Sequence, residues 1–250
     1  MSVNNVKNSI GWCDYTINPI KGLCPMDCKD NQGKPYCYAR RIYKRFKLDE
    51  TIRFDVVGYY AADWGIKKLK TPSKIFVGST MELFGDWVEL RWLDVVFQVT
   101  RRYPQHTFFI LTKQPQNLIK WSPYPSNCQI GVSVTNQIQY DNALKYLKEI
   151  DATVKFLSME PLLEHINIMS FLEQKINLKL KDAGISWVII GQQTPISPKT
   201  TPKIEWIMEI VEVVDRVGIP IFLKDNLIPV FSGKEYIIGY YRQEFPLEVK

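Results

Sequence analysis

The feature that most constrains the fold is a series of short apolar runs, separated by stretches with helical periodicity. The runs are continuous rather than alternating, which is typical of parallel strands buried on both faces. Repeated alternation of strand and helix predicts a parallel sheet covered by helices. The predicted strands are Trp12–Ile17, Ile75–Ser79, Thr107–Thr112, Ile130–Val134, Phe156–Met159, Trp187–Gly191 and Ile219–Leu223.

The intervening stretches predict amphipathic helices, most clearly over Val88–Tyr103, Gln137–Ile150 and Ile204–Val217. No G-x-G-x-x-G motif follows a predicted strand, so the dinucleotide-binding Rossmann fold lacks its signature. We therefore predict an α/β fold, a partial or full (β/α) TIM-like barrel of parallel strands. It should form a single domain over residues 1–250, with a short C-terminal extension from about residue 227.

The size and composition agree with one such domain. The chain has 250 residues, 46% of them hydrophobic, which is enough to bury a full core. No stretch approaches the ~20 apolar residues of a membrane helix, and the first ten residues lack the features of a signal peptide. We expect a cytoplasmic protein with no membrane partner.

The cysteines give the strongest functional signal. Three of the five lie close together, at Cys24, Cys28 and Cys37, directly after the first predicted strand. In a reducing compartment such a group indicates metal binding or catalysis more often than disulfides. Three thiolates on a [4Fe–4S] cluster leave one iron without a protein ligand, free to bind a substrate or cofactor.

Two other interpretations of the cysteines remain open. A structural zinc site needs four ligands, and Cys13 on the first predicted strand could supply the fourth. The Cys-x3-Cys-x8-Cys spacing, however, is not that of a Cys-x2-Cys zinc knuckle. The three thiols could also be unrelated, although the Gly, Pro and Asp residues around them indicate a loop rather than a core.

Polar residues follow the predicted strands where each one ends. Catalytic residues of (β/α) barrels collect at the C-terminal ends of the strands, although any single one here could be a helix cap or a surface residue. The residues at these strand ends are Ser79, Thr80, Glu82, Thr112, Lys113, Ser133, Thr135, Glu160, Gln192, Gln193, Lys224, Asp225 and Asn226.

The cysteine loop resembles that of the radical S-adenosylmethionine superfamily, whose usual motif is Cys-x3-Cys-x2-Cys with an aromatic residue before the last cysteine. Cys24 and Cys28 have the first spacing, and Tyr36 is the aromatic residue before Cys37. The second gap is longer, as if residues had been inserted within Lys29–Pro35.

The whole chain resembles the phage-associated three-Cys-motif family, which is related to that superfamily. Two departures are the absence of a late Cys-x2-Cys-Tyr pair and a Gly-Gln-Gln run in place of a Gly-Gly-Glu run. The matching segments are IGWCDYTINPIKGLC, CYARR, IFVGSTMELFGD, PQHTFFILTKQP, IGVSVTNQ, FLSMEPLL, WVIIGQQT and IFLKDN.

This resemblance implies a barrel of the radical-SAM type that binds a [4Fe–4S] cluster through Cys24, Cys28 and Cys37. It implies that S-adenosylmethionine binds the open iron and is cleaved to a 5′-deoxyadenosyl radical. A reductant protein such as flavodoxin or ferredoxin would supply the electron. The implied cofactor-binding residues are Tyr36, Tyr38, Ser79, Thr80, Glu82, Lys113, Ser133, Glu160 and Lys224.

The substrate is less constrained by the sequence. The net charge of +6 and the basic runs Arg40–Lys47 and Lys67–Lys70 are compatible with nucleic acid as a partner, and also with solvated helix faces. A zinc-stabilised nucleic-acid-binding module and a non-catalytic iron–sulfur barrel are the alternative functions.

Overall fold

The computed structural model describes residues 3–168, 178–232 and 241–246. Its strands are β1 (Asn4–Asn5), β2 (Tyr15–Ile17), β3 (Ile20–Lys21), β4 (Arg53–Phe54), β5 (Lys74–Val77), β6 (Thr107–Thr112), β7 (Cys128–Ser133), β8 (Val154–Met159), β9 (Ile185–Ile190) and β10 (Ile221–Leu223). Its α-helices are α1 (Lys7–Ile10), α2 (Tyr38–Phe46), α3 (Val56–Tyr60), α4 (Leu90–Arg102), α5 (Gln137–Lys148), α6 (Leu178–Asp182), α7 (Ile204–Val217) and α8 (Ile228–Phe231). Short 3-10 helices cover Asp63–Lys68, Pro115–Trp121 and Asp225–Leu227.

One eight-stranded sheet forms the centre of the protein, in the order β1-β2-β5-β6-β7-β8-β9-β10. Among its described strands, β1 pairs antiparallel with β2, and the other neighbouring strands pair in parallel. The predicted α/β fold with a parallel sheet is therefore confirmed. Strands β3 and β4 form a separate antiparallel pair.

The sheet is strongly curved. Trp12 lies just before β2 and Trp187 lies on β9, yet their ring centroids are 6.4 Å apart. Five strand spacings of about 4.8 Å separate β2 from β9, so a flat sheet would hold them roughly 24 Å apart. The concave face is filled by a buried cluster of Trp12, Cys13, Phe76, Phe109, Phe156, Trp187, Ile189 and Phe222. This packed interior gives the sheet its barrel-like form.

The helices cover the convex face, as the amphipathic pattern predicts. Helix α7 has the predicted bounds, and it ends at Gly218, which adopts the left-handed conformation that favours glycine at this position. Helix α5 begins after Asn136, whose side chain accepts a hydrogen bond from the Gln139 N–H. The larger apolar cluster lies between these helices and the sheet.

The boundaries of several strands differ from the prediction. The first begins at Tyr15 rather than Trp12, because Trp12 and Cys13 turn into the interior cluster before the sheet begins. The second ends at Val77, since Gly78 has a positive φ of 78° that breaks the extended conformation.

The predicted C-terminal extension is partly described. Phe245 stacks on Trp187 with ring centroids 5.6 Å apart, so residues 241–246 close one side of the interior cluster. Residues 233–240 and 247–250 of this extension lie outside the described residues. The single-domain organisation over 1–250 stays a prediction. Within the described residues, no helix is long and apolar enough to cross a membrane.

Candidate functional site

The candidate site is the cysteine loop, which folds into a hairpin between Cys28 and Cys37. Lys29 and Pro35 form an antiparallel bridge, and the Tyr36 N–H donates to the Cys28 carbonyl over 3.1 Å. Asp30 Oδ1 accepts hydrogen bonds of 2.9 Å from the N–H groups of Gln32 and Lys34, which holds the tip of the turn. The residues that lengthen the second cysteine gap are therefore a compact turn.

The hairpin brings the thiols of Cys28 and Cys37 together. Cys37 is the residue before α2, and its sulfur lies near the Cys28 thiol and the first backbone N–H groups of the helix. The Cys28 thiol, followed by the N–H groups of Arg40 and Ala39, favours the thiolate and lowers the pKa of Cys37 to about 5. The pKa of Cys28 is raised, because its thiol donates to Cys37 and because it is buried.

Cys24 lies beside this pair. Arg40 fixes the local backbone by donating to the carbonyls of Cys24 and Met26, over 3.1 and 3.3 Å. Burial raises the pKa of Cys24, and the neighbouring Cys37 adds to the increase. Cys24 thus lies within electrostatic range of the pair, but among the described residues no three potential ligands are already close enough to enclose a metal ion.

The chemistry of this donor set fits an iron–sulfur cluster. It contains three thiols and no imidazole or carboxylate, and soft thiolate ligands are those that such clusters use. Two cations lie near it: the charge of Arg40 favours the Cys37 thiolate and that of Lys113 favours the Cys28 thiolate. Cations suit thiolates that would otherwise repel one another.

Glu82 links the ends of β5 and β6 beneath the loop. Its carboxylate accepts from the Thr112 hydroxyl over 2.6 Å, from the Lys113 N–H over 2.7 Å and from the Phe84 N–H over 3.1 Å. The side chain is buried, and this burial raises its pKa despite the three hydrogen bonds. Both carboxylate oxygens of this predicted cofactor-binding residue therefore already have protein partners.

Ser79 and Thr80 are connected to the end of β2 through Asn18. The Asn18 side-chain oxygen accepts from the Thr80 N–H and from the Thr80 hydroxyl, each over 3.0 Å, and its amide group donates to the Ser79 hydroxyl over 3.2 Å. Tyr38 donates its hydroxyl to the Ser79 carbonyl, although its ring is 43% exposed. These predicted residues lie together at one side of the barrel mouth.

Tyr36 lies on the other side of the hairpin. Burial raises the pKa of its hydroxyl, and the nearby thiols of Cys28 and Cys37 add to the increase. Lys113 and Ser133 lie nearby on a small cleft of about 160 Å³, which Gln139 and Tyr146 of α5 also line. The structure therefore brings together predicted residues that follow β6 and β7.

Glu160 and Lys224 form an ion pair across the ends of β8 and β10. Gly191 leaves the space for it: a Cβ atom there would lie 3.0 Å from the Lys224 side chain and 3.1 Å from that of Glu160. Each of these two predicted cofactor-binding residues thus already has a charged protein partner.

Several residues that hold the loop were missed by the sequence analysis. Asn31 donates to the Leu163 carbonyl over 2.8 Å, and Arg41 donates to the Thr194 carbonyl over 2.7 Å. The Gln193 side chain lies near Asp30, whose carboxyl pKa is lowered first by the N–H groups of Lys34 and Gln32 and also by Gln193. These contacts hold the loop against the segments that follow β8 and β9. Of the loop residues, only Asp30 and Gly33 could be recognised from the sequence, as residues typical of a turn.

Cys13 is separate from the loop. It is 1% exposed within the aromatic cluster of the barrel interior, and burial raises its pKa to about 12. The structure does not bring it to Cys24, Cys28 and Cys37, so Cys13 does not supply the fourth ligand that the alternative zinc site would need.

Comparisons with known proteins agree with this architecture. The model of a family described as "Protein of unknown function (DUF5131)" matches residues 7–227. Among curated proteins, none matches the sequence. A solved structure of a spore photoproduct lyase variant is similar, with 12% identity, a TM-score of 0.56, and coverage of 89% of this chain and 78% of that chain.

A second spore photoproduct lyase variant, with bound AdoMet and dinucleoside spore photoproduct, aligns with a TM-score of 0.49 and 12% identity. That alignment covers 86% of this chain and 64% of the lyase. At 12% identity, the alignment with a TM-score of 0.56 shows a shared fold.

Proposed function

The chain belongs to the DUF5131 family, and we propose that it is a radical S-adenosylmethionine enzyme with a [4Fe–4S] cluster bound by Cys24, Cys28 and Cys37. The observation that carries the proposal is the hairpin that places Cys28 beside Cys37, with Cys24 next to them, above the C-terminal ends of the strands. A cluster bound there would supply one electron for the reductive cleavage of S-adenosylmethionine to methionine and a 5′-deoxyadenosyl radical.

The protein residues in this proposal bind and orient the cofactor. Ser79 and Thr80, held by Asn18, present hydroxyl and backbone groups where the methionine amine and carboxylate would bind. The rings of Tyr36 and Tyr38 flank Cys37 in sequence and would pack beside the adenine or the cluster. Glu82 fixes the relative positions of the ends of β5 and β6 through its three hydrogen bonds, and any contact with the amine would be in addition to them.

The second half of the mouth completes the proposed binding surface. Ser133 and Lys113 line one cleft and would contact the ribose or the carboxylate. The charges of Glu160 and Lys224 compensate each other at the rim, so that both could contact polar groups of the cofactor without leaving an isolated, partly buried charge. An electron donor such as flavodoxin or ferredoxin would supply the electron from outside.

Anaerobic reconstitution tests this function. The wild-type protein should bind about four irons and four sulfides per chain, as expected of a [4Fe–4S] cluster. After reduction with dithionite in the presence of S-adenosylmethionine, it should release 5′-deoxyadenosine. Cys24→Ala, Cys28→Ala and Cys37→Ala should each lose the cluster, whereas the matched variant Cys128→Ala should keep it, because Cys128 is buried in the larger apolar cluster.

Two results would contradict the proposal. A protein that binds zinc in preference to iron under anaerobic conditions would indicate a structural metal site. A fully loaded cluster without 5′-deoxyadenosine release would indicate a non-catalytic iron–sulfur barrel.

A further inference from the structure

The outward face of α2 carries a strong positive charge directly after the cysteine loop. Arg41, Lys44, Arg45 and Lys47 are all exposed. Within the part of the chain that the structure describes, none of these four side chains forms an ion pair. This charge is therefore available to an anionic partner.

The same face exposes an aromatic ring. Phe46 at the end of α2 is 61% exposed, and the Arg45 guanidinium lies 5.2 Å from the centre of its ring. An open hollow of about 460 Å³ follows this face and is lined by Tyr38, Arg41, Ile42, Arg45 and Phe46. This surface of α2 thus combines the cationic side chains of Arg41 and Arg45 with the aromatic rings of Tyr38 and Phe46.

The hollow leads toward the candidate site. Tyr38, at one end of it, follows Cys37 in the chain and donates its hydroxyl to the Ser79 carbonyl at the barrel mouth. Arg41 donates to the Thr194 carbonyl, which fixes α2 against the segment after β9. A long ligand on α2 would therefore extend to the cysteine loop.

We propose that this face of α2 binds a single-stranded nucleic acid segment and guides it to the cysteine loop. Phosphates would contact Arg41, Lys44 and Arg45, and an unpaired base would stack on Phe46. A duplex keeps its bases stacked inside, so it could use the cations but not the ring. The nucleic acid strand would be the substrate of the proposed enzyme, and this part of the proposal rests on the proposed function.

An acidic electron-transfer protein is the other partner that a basic face could bind. The exposed ring and the elongated hollow favour the nucleic acid strand, because a flat ring beside a row of cations matches the alternation of base and phosphate. Binding of an acidic protein in place of the nucleic acid strand is therefore one of the results that the test distinguishes.

Fluorescence anisotropy with labelled oligonucleotides of about 12 nucleotides tests the proposal, since single-strand sites span roughly 4–16 nucleotides. Single-stranded DNA, single-stranded RNA and a duplex of the same sequence are titrated with the reconstituted protein and with the metal-free protein over a range of salt concentrations. Both single strands are tested because the stacking and phosphate contacts are common to them. The duplex should bind more weakly than either.

The decisive variants change the charge or the ring. Lys44→Ala/Arg45→Ala should weaken binding roughly tenfold and reduce the slope of log K against log salt by about 1.4, that is about 0.7 for each lost phosphate contact. Phe46→Leu keeps an apolar side chain but cannot stack, so it should weaken binding roughly fivefold or more with an unchanged salt slope. The control Lys145→Ala/Lys148→Ala removes the same charge from the exposed side of α5 and should bind as the wild type does.

Three results would overturn the proposal: equal affinity for duplex and single strand, equal loss of binding in the α5 control, or a Phe46→Leu variant that binds normally. Loss of flavodoxin binding in the α2 variants with unchanged oligonucleotide binding would assign the face to a reductant instead. Iron content and 5′-deoxyadenosine release without substrate should remain normal in the α2 variants, so failure of strand binding and failure of the proposed enzyme function are distinguishable.

Discussion

The backbone N–H of Tyr36 donates a hydrogen bond of 3.1 Å to the carbonyl oxygen of Cys28. This bond closes the hairpin. Although eight residues separate Cys28 from Cys37 in the sequence, the hairpin makes them neighbours in space. The loop thus differs from the usual three-cysteine motif in length, and its hairpin brings its last two thiols close together.

The first prediction concerns the tip of this hairpin. Asp30→Ala removes the acceptor of two backbone hydrogen bonds, so the hairpin should open more often and the reconstituted protein should contain less iron. Asp30→Asn retains an acceptor oxygen and should bind more iron than Asp30→Ala.

Asp49 offers a matched control, because its side chain also accepts from the N–H two residues later, over 2.9 Å, in an exposed turn. Asp49→Ala should leave the iron content unchanged. Wild-type iron content in Asp30→Ala would show that the turn does not position the thiols.

The second prediction concerns thiol reactivity in the metal-free protein. Because the pKa of Cys37 is lowered to about 5, its thiolate dominates at pH 7 and its alkylation by iodoacetamide should vary little between pH 7 and 8. The rate should fall as the pH drops toward 5, where the sulfur becomes protonated.

Mass spectrometry of pulse-labelled protein measures this profile at each cysteine. Cys13 and Cys128 should remain unlabelled, since both are buried and the pKa of each is raised to about 12. A Cys37 rate that rises about tenfold from pH 7 to 8 would indicate an ordinary thiol and contradict the hairpin geometry.

The third prediction concerns the ion pair at the rim. The Lys224 side chain is 13% exposed and that of Glu160 25% exposed, so Lys224→Ala leaves a partly buried carboxylate without its cation. The free energy of unfolding should fall by about 1–3 kcal/mol, less than for a fully buried pair.

Urea denaturation of the metal-free protein measures this loss. The double variant Glu160→Gln/Lys224→Met should recover part of it, because no unpaired charge remains. The exposed residue Lys199 serves as the control, and Lys199→Ala should change stability by less than about 0.5 kcal/mol.

The fourth prediction concerns the barrel interior. Trp187 is fully buried and its ring contacts those of Trp12, Phe109 and Phe156 across the concave face. Trp187→Ala should reduce the free energy of unfolding by about 3–5 kcal/mol, and Trp187→Phe by less.

The same denaturation experiment provides the comparison. Tyr60 is 80% exposed, so Tyr60→Ala should stay within about 0.5 kcal/mol of the wild type. Similar stabilities of Trp187→Ala and Tyr60→Ala would mean that the aromatic cluster does not hold the curved sheet together.

The sequence predicted the regular elements well. Thr107–Thr112 and Ile204–Val217 have the same bounds in the structure, because a continuous apolar run and a clear helical face are local signals. Strand ends that depend on a turn, such as the one at Gly78, were placed less well.

The site was only partly predictable. The three cysteines were evident from their spacing. The roles of Asn18, which binds Thr80, and of Arg40, which binds the Cys24 carbonyl, depend on contacts between residues that are far apart in the sequence. Residues of a basic run give no local sign that Arg40 and Arg41 donate to backbone carbonyls while Lys44 and Arg45 stay exposed without an ion pair in the described part of the chain. The hairpin within Lys29–Pro35 was recognised as an insertion, but its pairing is a property of the fold.

The most direct test of the central claim is the electron paramagnetic resonance spectrum of the anaerobically reconstituted, reduced protein, recorded with and without S-adenosylmethionine. If Cys24, Cys28 and Cys37 bind a [4Fe–4S] cluster with one open iron, the reduced protein gives a cluster signal whose g values shift when the cofactor is added. A cluster signal that S-adenosylmethionine leaves unchanged, or a spectrum that is the same in wild type and Cys37→Ala, would contradict it.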